Sequence, residues 1–162
     1  MKAPNRLTKY VGLFTGLLIA AVALESASAA DVKALVFSKT LMFRHSSIPD
    51  GIAAIQKLGA EHHFQVDATE DASWFTPTNL AKYQVVIFLS TSGDILNEEQ
   101  QQAFKNYIDQ GGGLAAIHAA VAGDVATEGS WPWYGEALCA HFTNHSAVVE
   151  ATVEIEDHQN PS

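Results

Sequence analysis

The chain has 162 residues, enough for one ordinary domain, and its 9 basic and 18 acidic residues give a formal net charge of −9. An acidic surface repels the phosphates of nucleic acids and of anionic lipids, so neither is an expected partner. The single cysteine, Cys139, excludes an internal disulfide, and without a Cys-x-x-Cys pair a thiolate zinc site is excluded as well.

The first thirty residues have the pattern of a secretory signal peptide. Three basic residues fall within the first nine positions, and an apolar run follows from 10 to 24. Small residues then offer cleavage after Ala29 or Ala30, which predicts removal of residues 1–30 and export to the periplasm or the extracellular medium. The alternative, an uncleaved anchor, needs about 20 apolar residues, more than this run has. Residues 31–162 keep 6 basic and 17 acidic residues, a formal charge of −11, and no expected membrane span.

The first half of the remaining chain alternates predicted strands and helices. Residues 32–38 are a short apolar run typical of a buried strand, and the polar loop after it leads to a helix that Pro49 opens. The apolar face predicted for that helix consists of Ile52, Ile55, Leu58 and Gly59. A weaker strand at 65–69, a helical turn from Pro77 to Leu80 and a strongly apolar strand at 83–89 follow.

The alternation continues after a polar turn at 90–94. Asn97 is predicted to cap a helix that carries Glu98 and Glu99 in its first turn, where carboxylates suit the helix dipole. The inner face of this helix is expected to consist of Phe104, Tyr107 and Ile108. Three glycines at 111–113 end the helix, and residues 114–117 form the next predicted strand.

The last part of the chain predicts one more helix and one more strand. Residues 131–134 (Trp-Pro-Trp-Tyr) begin the helix, which is expected to carry Leu138 and Phe142. Cys139 would then lie in mid-helix as a buried, inert thiol. Residues 148–155 alternate apolar with acidic or polar residues, as a half-exposed edge strand does.

Strands and helices in regular alternation predict an α/β fold with a mainly parallel sheet. In such sheets ligands bind beyond the carboxyl ends of the strands. This rule brings three segments to one edge of the sheet: residues 44–47 (Arg-His-Ser-Ser), residues 90–94 (Ser-Thr-Ser-Gly-Asp) and His118 with the loop behind it. A functional site is expected at that edge.

Three segments resemble the ThuA-like (trehalose utilisation) family. They are residues 43–48 (Phe-Arg-His-Ser-Ser-Ile), 111–120 (Gly-Gly-Gly-Leu-Ala-Ala-Ile-His-Ala-Ala) and 131–135 (Trp-Pro-Trp-Tyr-Gly), and the resemblance extends over 31–162. It implies a flavodoxin-like three-layer α/β sandwich similar to class I glutamine amidotransferases. It also implies a role in the utilisation of trehalose or related sugars, with export common among such proteins.

The chain departs from these relatives at two places. Amidotransferases carry a nucleophilic cysteine where this chain has His118, so the resemblance implies no glutaminase activity, and Cys139 is not expected to replace the nucleophile. ThuA-like domains normally continue beyond residue 162, so the domain at 31–162 is expected to lack its C-terminal part. Asn160 also stands where the family usually has a histidine.

The proposed catalytic residues are His118 and His45, because imidazole titrates near neutral pH and can act as a general base. His118 also has a structural interpretation, in which neighbouring backbone groups satisfy both ring nitrogens. Arg44 and Asp94 are the expected polar contacts to a substrate, although Arg44 could instead anchor its loop, and Ser46 or Ser47 could simply cap the following helix. Stacking on a sugar is expected from Trp133 and Tyr134, with one aromatic residue of this segment exposed and the others in the core.

A divalent metal is the one cofactor class considered, with His118, His141 and His145 as the candidate ligands. The spacing of His141 and His145 would place both rings on one helix face, but residues 143–144 are expected to end the helix between them. No metal is therefore assigned, and no carboxylate pair for glycoside hydrolysis is identified.

The sequence thus predicts an exported domain that binds, and chemically processes, a carbohydrate-derived or other small-molecule ligand at the strand-end edge. Two alternatives stay open: a non-catalytic sugar-binding or interaction module, and an inactive fragment. An exposed last strand would make such a fragment prone to aggregate. The oligomeric state is not predicted.

Overall fold

The computed structural model describes residues 32–122, 131–147, 149–152, 154–156, 158 and 159. The strands in this part of the chain are β1 (Lys33–Phe37), β2 (Gln65–Thr69), β3 (Val85–Leu89) and β4 (Gly113–Ile117). The helices are α1 (Ile48–His62), α2 (Pro77–Leu80), α3 (Glu98–Asp109) and α4 (Pro132–Leu138), with 3-10 turns at Ala72–Trp74 and His118–Ala122. Among these described residues, no helix has the length and apolar character needed to cross a membrane. The predicted leader at 1–30 lies outside them.

All four strands are parallel, and their order across the sheet is β2-β1-β3-β4. The register places Phe37 beside Phe88, and Leu89 beside Ile117, so the carboxyl ends of β1, β3 and β4 lie at one edge. This order is the one with which flavodoxin-like sheets begin. The predicted α/β fold with a parallel sheet is therefore confirmed.

The pleat of the strands divides their side chains between two apolar layers. On one face, Val36 and Leu89 pack with Ile55 of α1. On the other face, strand residues such as Phe37 and Phe88 pack with α2, α3 and α4 in a larger cluster. Helices thus cover both faces of the sheet and give the expected three layers.

The larger cluster is centred on the buried ring of Phe88. Its centroid lies 5.1 Å from that of Phe104 in α3, 5.4 Å from Tyr134 in α4 and 5.7 Å from Phe37 in β1. Tilted and edge-on aromatic pairs of this kind contribute about 1 kcal/mol each beyond the burial of their area. They fix the two helices against the centre of the sheet, directly below the strand-end loops.

The helix after β1 differs from the prediction on one face. Ile55 and Gly59 are buried as expected, whereas Leu58 is 47% exposed. At Gly59 a Cβ would lie 2.8 Å from the Phe64 carbonyl oxygen and from Val66, so the helix approaches the start of β2 closely on this face. Ser47 occupies the N-cap position but its side chain makes no capping hydrogen bond.

The helix after Trp131 is shorter than predicted. It ends at Leu138, and Cys139 follows as its C-cap with a left-handed backbone, φ 52°. Cys139 is exposed, so its prediction as a buried mid-helix thiol is wrong. Phe142 lies beyond the helix and is 40% exposed. A residue with a left-handed backbone commonly ends a helix at this position. The helix therefore stops at Leu138, although the apolar pattern of the sequence continues beyond it.

The predicted edge strand at 148–155 is not formed in the described residues of that stretch, and Val148 and Val153 lie outside them. Val149 and Ile155 are 67% and 66% exposed. An alternating sequence becomes a strand only when its backbone finds a partner, and no described segment pairs with the free side of β4.

Candidate functional site

His118 stands at the turn where β4 passes into the 3-10 turn at His118–Ala122, and its backbone is left-handed, with φ 56°. Ser90, at the end of the neighbouring strand β3, is left-handed as well, with φ 48°. Its backbone N–H donates to the carbonyl of Ile117 at 3.1 Å. Such conformations are unfavourable for residues other than glycine, and they concentrate at functional sites.

The loop after β1 brings His45 to the same place. The ring centroids of His45 and His118 lie 4.4 Å apart, with their planes at 90°. Phe43 contacts the other side of His45, with a centroid separation of 4.8 Å. The structure therefore brings together the two histidines that the strand-end rule places at one edge, although their catalytic roles stay predictions.

Burial lowers the pKa of His45, and the positive charges of His118 and His145 lower it further. A histidine with a lowered pKa is neutral over a wider pH range. Neutral imidazole has a free lone pair on one nitrogen, so His45 can accept a proton or a hydrogen bond from a ligand hydroxyl near neutral pH.

The loop that carries His45 is tied down on both sides. Arg44 donates two hydrogen bonds to Glu70, at 2.6 and 3.1 Å, and so joins this loop to the one after β2. On the other side Leu41 N–H donates to the Ser92 carbonyl at 2.7 Å, and the Ser92 hydroxyl donates to the Phe43 carbonyl at 2.8 Å. Arg44 therefore has a loop-anchoring partner, a carboxylate rather than a backbone carbonyl, and its contact with a substrate stays a prediction.

The aromatic residues proposed for stacking lie in or against the core. Tyr134 is 3% exposed, and its hydroxyl donates to the Ala120 carbonyl at 3.2 Å. Trp131 stacks on the Tyr134 ring at 5.3 Å, and Trp133 packs half-buried against the larger cluster with Lys105 5.8 Å from its centroid. Tyr134 thus lies in the core, whereas Trp131 and Trp133 are only half-buried, and stacking of an aromatic residue on a sugar stays a prediction.

Asp94 is exposed in the turn after β3. It borders a cavity of about 10 Å³, which Phe88 and Tyr134 also line and which has room for roughly one water molecule. A sugar ring does not fit there, so any contact of Asp94 with a substrate has to come from the outer side of the turn.

The candidate metal ligands do not converge into one site. His141 and His145 lie beyond α4, without helical structure, and the ring of His141 rests against Gly135. His145 Nδ1 is 2.7 Å from the Ser146 carbonyl oxygen. Within the part of the chain that the structure describes, no group of three or more His, Cys, Asp or Glu side chains could hold a metal. His45 and His118 supply two imidazoles, whereas catalytic zinc sites use three protein ligands, so this pair alone falls one ligand short of such a site.

Several residues at this edge are not evident from the sequence. Ser38 and Thr91 are buried, and within the described residues their hydroxyl oxygens have no hydrogen-bond partner. Residues 90–92 begin the turn that was predicted as polar, and all three are buried, which their polar composition does not indicate. Glu70 and the exposed apolar residues 41–43 were also missed, because their roles depend on how neighbouring loops meet.

Comparison with known proteins gives two matches. The model of a family described as ThuA, trehalose utilisation, matches residues 33–162. A crystal structure of a ThuA-like protein from Bacteroides uniformis is similar to this chain, with 28% sequence identity and a TM-score of 0.55 over 70% of this chain. The chain spans 46% of the length of that protein. The comparison with curated proteins found no match.

Proposed function

Because the chain belongs to the ThuA family, which is associated with trehalose utilisation, we propose that it is an exported protein of carbohydrate utilisation that binds and processes a sugar-derived ligand at the strand-end edge. His45 and His118 are the proposed working pair. The observation that carries this proposal is the perpendicular contact of their rings, 4.4 Å apart, at a turn with left-handed backbone.

The chemistry of this pair suits a polyhydroxylated ligand. His118 is exposed, so its ring is accessible to a ligand, and His45 is half-buried behind it. With its pKa lowered by burial and by neighbouring positive charge, His45 is suited to accept a proton from a hydroxyl group, and the exposed imidazole can bind a second oxygen. The position that holds a cysteine nucleophile in amidotransferases holds His118 here, so glutaminase activity is not part of the proposal.

The test compares His118→Ala and His45→Ala with His62→Ala, which changes an exposed histidine in the last turn of α1. Calorimetric titration with trehalose and methyl α-D-glucopyranoside measures affinity, and thermal unfolding measures stability. We expect the two site variants to lose affinity by about tenfold or more, as for the loss of a hydrogen bond to a ligand, while His62→Ala binds like the wild type.

Unchanged binding by both site variants would contradict the proposal. Binding that depends on His118 but comes with no turnover of the sugar would instead support a non-catalytic binding module. Incubation with each sugar and chromatography of the products separates these two outcomes.

A further inference from the structure

Three consecutive large apolar side chains project from the loop after β1. Leu41 and Met42 are each 60% exposed and Phe43 is 70% exposed. Side chains of this size offer about 200 Å² each when fully exposed, so these three, named the apolar rim, present roughly 400 Å² to solvent. The largest apolar patch on a typical monomer has about this area and is often functional.

The backbone of the apolar rim is held in place. Leu41 and Phe43 are hydrogen-bonded to the buried Ser92, and Thr40 forms a parallel bridge with the same residue. Beneath the rim, Gly93 has φ 83°, and a Cβ there would lie 3.1 Å from Leu41 Cβ and from Met42 Cγ. The rim is therefore a formed surface, and its side chains are exposed in spite of a well-anchored main chain.

The apolar rim is continuous with the proposed site. Phe43 contacts His45, and His45 contacts His118, at centroid distances of 4.8 and 4.4 Å. Asp94 follows Gly93, the residue on which the rim rests. A ligand that reaches the two histidines therefore meets their imidazoles and, next to them, the apolar surface that begins at Phe43.

We infer that the apolar rim is the subsite for an apolar aglycone, so that the preferred ligand is a glycoside carrying an aryl or alkyl group. This inference rests on the proposed function, since the sugar itself has to occupy the histidine pair. A pyranose stacks on a flat aromatic face, which Phe43 alone could supply. Leu41 and Met42 extend the surface further and have no flat face, and such side chains match an apolar group of the ligand better than a second sugar ring.

The experiment compares two ligands that differ only in the aglycone, methyl α-D-glucopyranoside and phenyl α-D-glucopyranoside, by calorimetric titration. For the wild type we expect the phenyl glucoside to bind about tenfold more tightly, the gain from burying part of one phenyl ring.

The test variant is the double substitution Leu41→Ser/Met42→Ser. It leaves Phe43 against His45 and keeps a Cβ above Gly93, so the histidine pair is not disturbed. We expect the preference for the phenyl glucoside to fall below about threefold while the methyl glucoside binds as before. The matched control is Leu58→Ser, which changes a leucine that is 47% exposed on α1, and it should keep the full preference. Thermal unfolding verifies that each variant is folded.

The outcomes separate this inference from the proposed function. If the wild type binds both glucosides equally, or if the double variant keeps the preference, the inference is overturned and the proposed function stands. If the wild type binds neither glucoside, the inference is overturned, and the proposed function is overturned with it only when trehalose also fails to bind. Sedimentation adds one further outcome, because a wild-type dimer that the double variant loses would assign the rim to a second copy of the chain and overturn the aglycone subsite.

Discussion

The backbone of His118 is in the left-handed region, which costs a non-glycine residue about 1 kcal/mol or more. Ser90 has the same kind of conformation at the end of the adjacent strand, and its N–H is bonded to the residue before His118. The packing around these two residues has to offset the cost of their backbone conformation. The other non-glycine residues with a left-handed backbone in the described part of the chain, His63 and Cys139, are helix C-caps, so His118 and Ser90 are the ones that lie at the ends of strands.

Titration of His45 should be visible in the pH dependence of stability. Its pKa is lower in the folded protein than in the unfolded chain, where it is about 6.5, so the unfolded chain binds a proton that the folded protein resists. The free energy of unfolding should therefore fall as the pH drops from about 6.5 towards the lowered pKa. Replacing His45 by Gln should reduce this loss, as measured by urea unfolding at a series of pH values.

The control for this prediction is His62→Gln, which removes an exposed histidine at the end of α1 that is not one of the groups acting on His45, so the loss that depends on His45 should remain. His118 and His145 carry the charges that act on His45, so their Gln variants should reduce the slope in part. Identical slopes for the wild type and the His45 variant would contradict the prediction.

For single residues, the sequence was most informative where the order of strands and helices alone determines the position of the residue. His45 and His118 follow β1 and β4 of one parallel sheet, so the order of the elements places both at the same edge. The contact of their rings is not given by that order, because β3 lies between the two strands and the loop after β1 has to reach across it. The pairing of Arg44 with Glu70 depends on how two loops cross, and the burial of Tyr134 depends on how α4 lies on Phe88. Neither arrangement leaves a periodic signal in the sequence.

The two main helices of the sheet begin in different ways, and the difference predicts their sensitivity to mutation. At α3, Asn97 accepts from the Gln100 backbone N–H at 2.9 Å, and the Gln100 side chain accepts from the Asn97 N–H at 3.0 Å. This is a complete capping box. Replacing Asn97 by Ala should lower the free energy of unfolding by about 1 kcal/mol, measured by urea denaturation.

The N-cap of α1 supplies the matched control, because Ser47 makes no capping bond with its side chain. Ser47→Ala should change the free energy of unfolding by no more than a few tenths of a kcal/mol, since no hydrogen bond is lost. Equal losses in the two variants would show that side-chain capping does not distinguish these helices.

The strands and helices that pack or pair with a neighbour were predictable from the sequence. The predicted strand at 148–155, which has no pairing strand among the described residues, was not. β1, β3 and β4 are short apolar runs between polar turns, and α3 has both a cap and a glycine stop, so local patterns sufficed for them. The alternation of apolar and polar residues at 148–155 is equally regular, but such a pattern shows only that the segment could have one buried and one exposed face. Pairing is a property of two segments, and the described residues offer β4 no second neighbour.

For the molecule as a whole, the leader predicted at residues 1–30 leads to a prediction about the exported product. When the full-length sequence is expressed in a bacterium with a secretion pathway, the exported product should begin at Ala30 or Asp31. Mass spectrometry of the intact exported protein measures this directly. A protein that retains Lys2 and the apolar run, and that stays with the membrane fraction, would contradict cleavage.

Among the described residues no strand pairs with the side of β4 that faces away from β3, and this has a consequence for how the protein behaves at high concentration. The strand is Gly-Leu-Ala-Ala-Ile, without a charged residue or proline to block the approach of another strand. Two copies are then kept apart mainly by the electrostatic repulsion between their negative charges. The range of this repulsion, the Debye length, is about 30 Å at 0.01 M salt but only about 10 Å at 0.1 M. Aggregation should accordingly depend on ionic strength more than on the free energy of unfolding. A concentrated solution should stay clear in a buffer of low salt and slowly become turbid when salt is added.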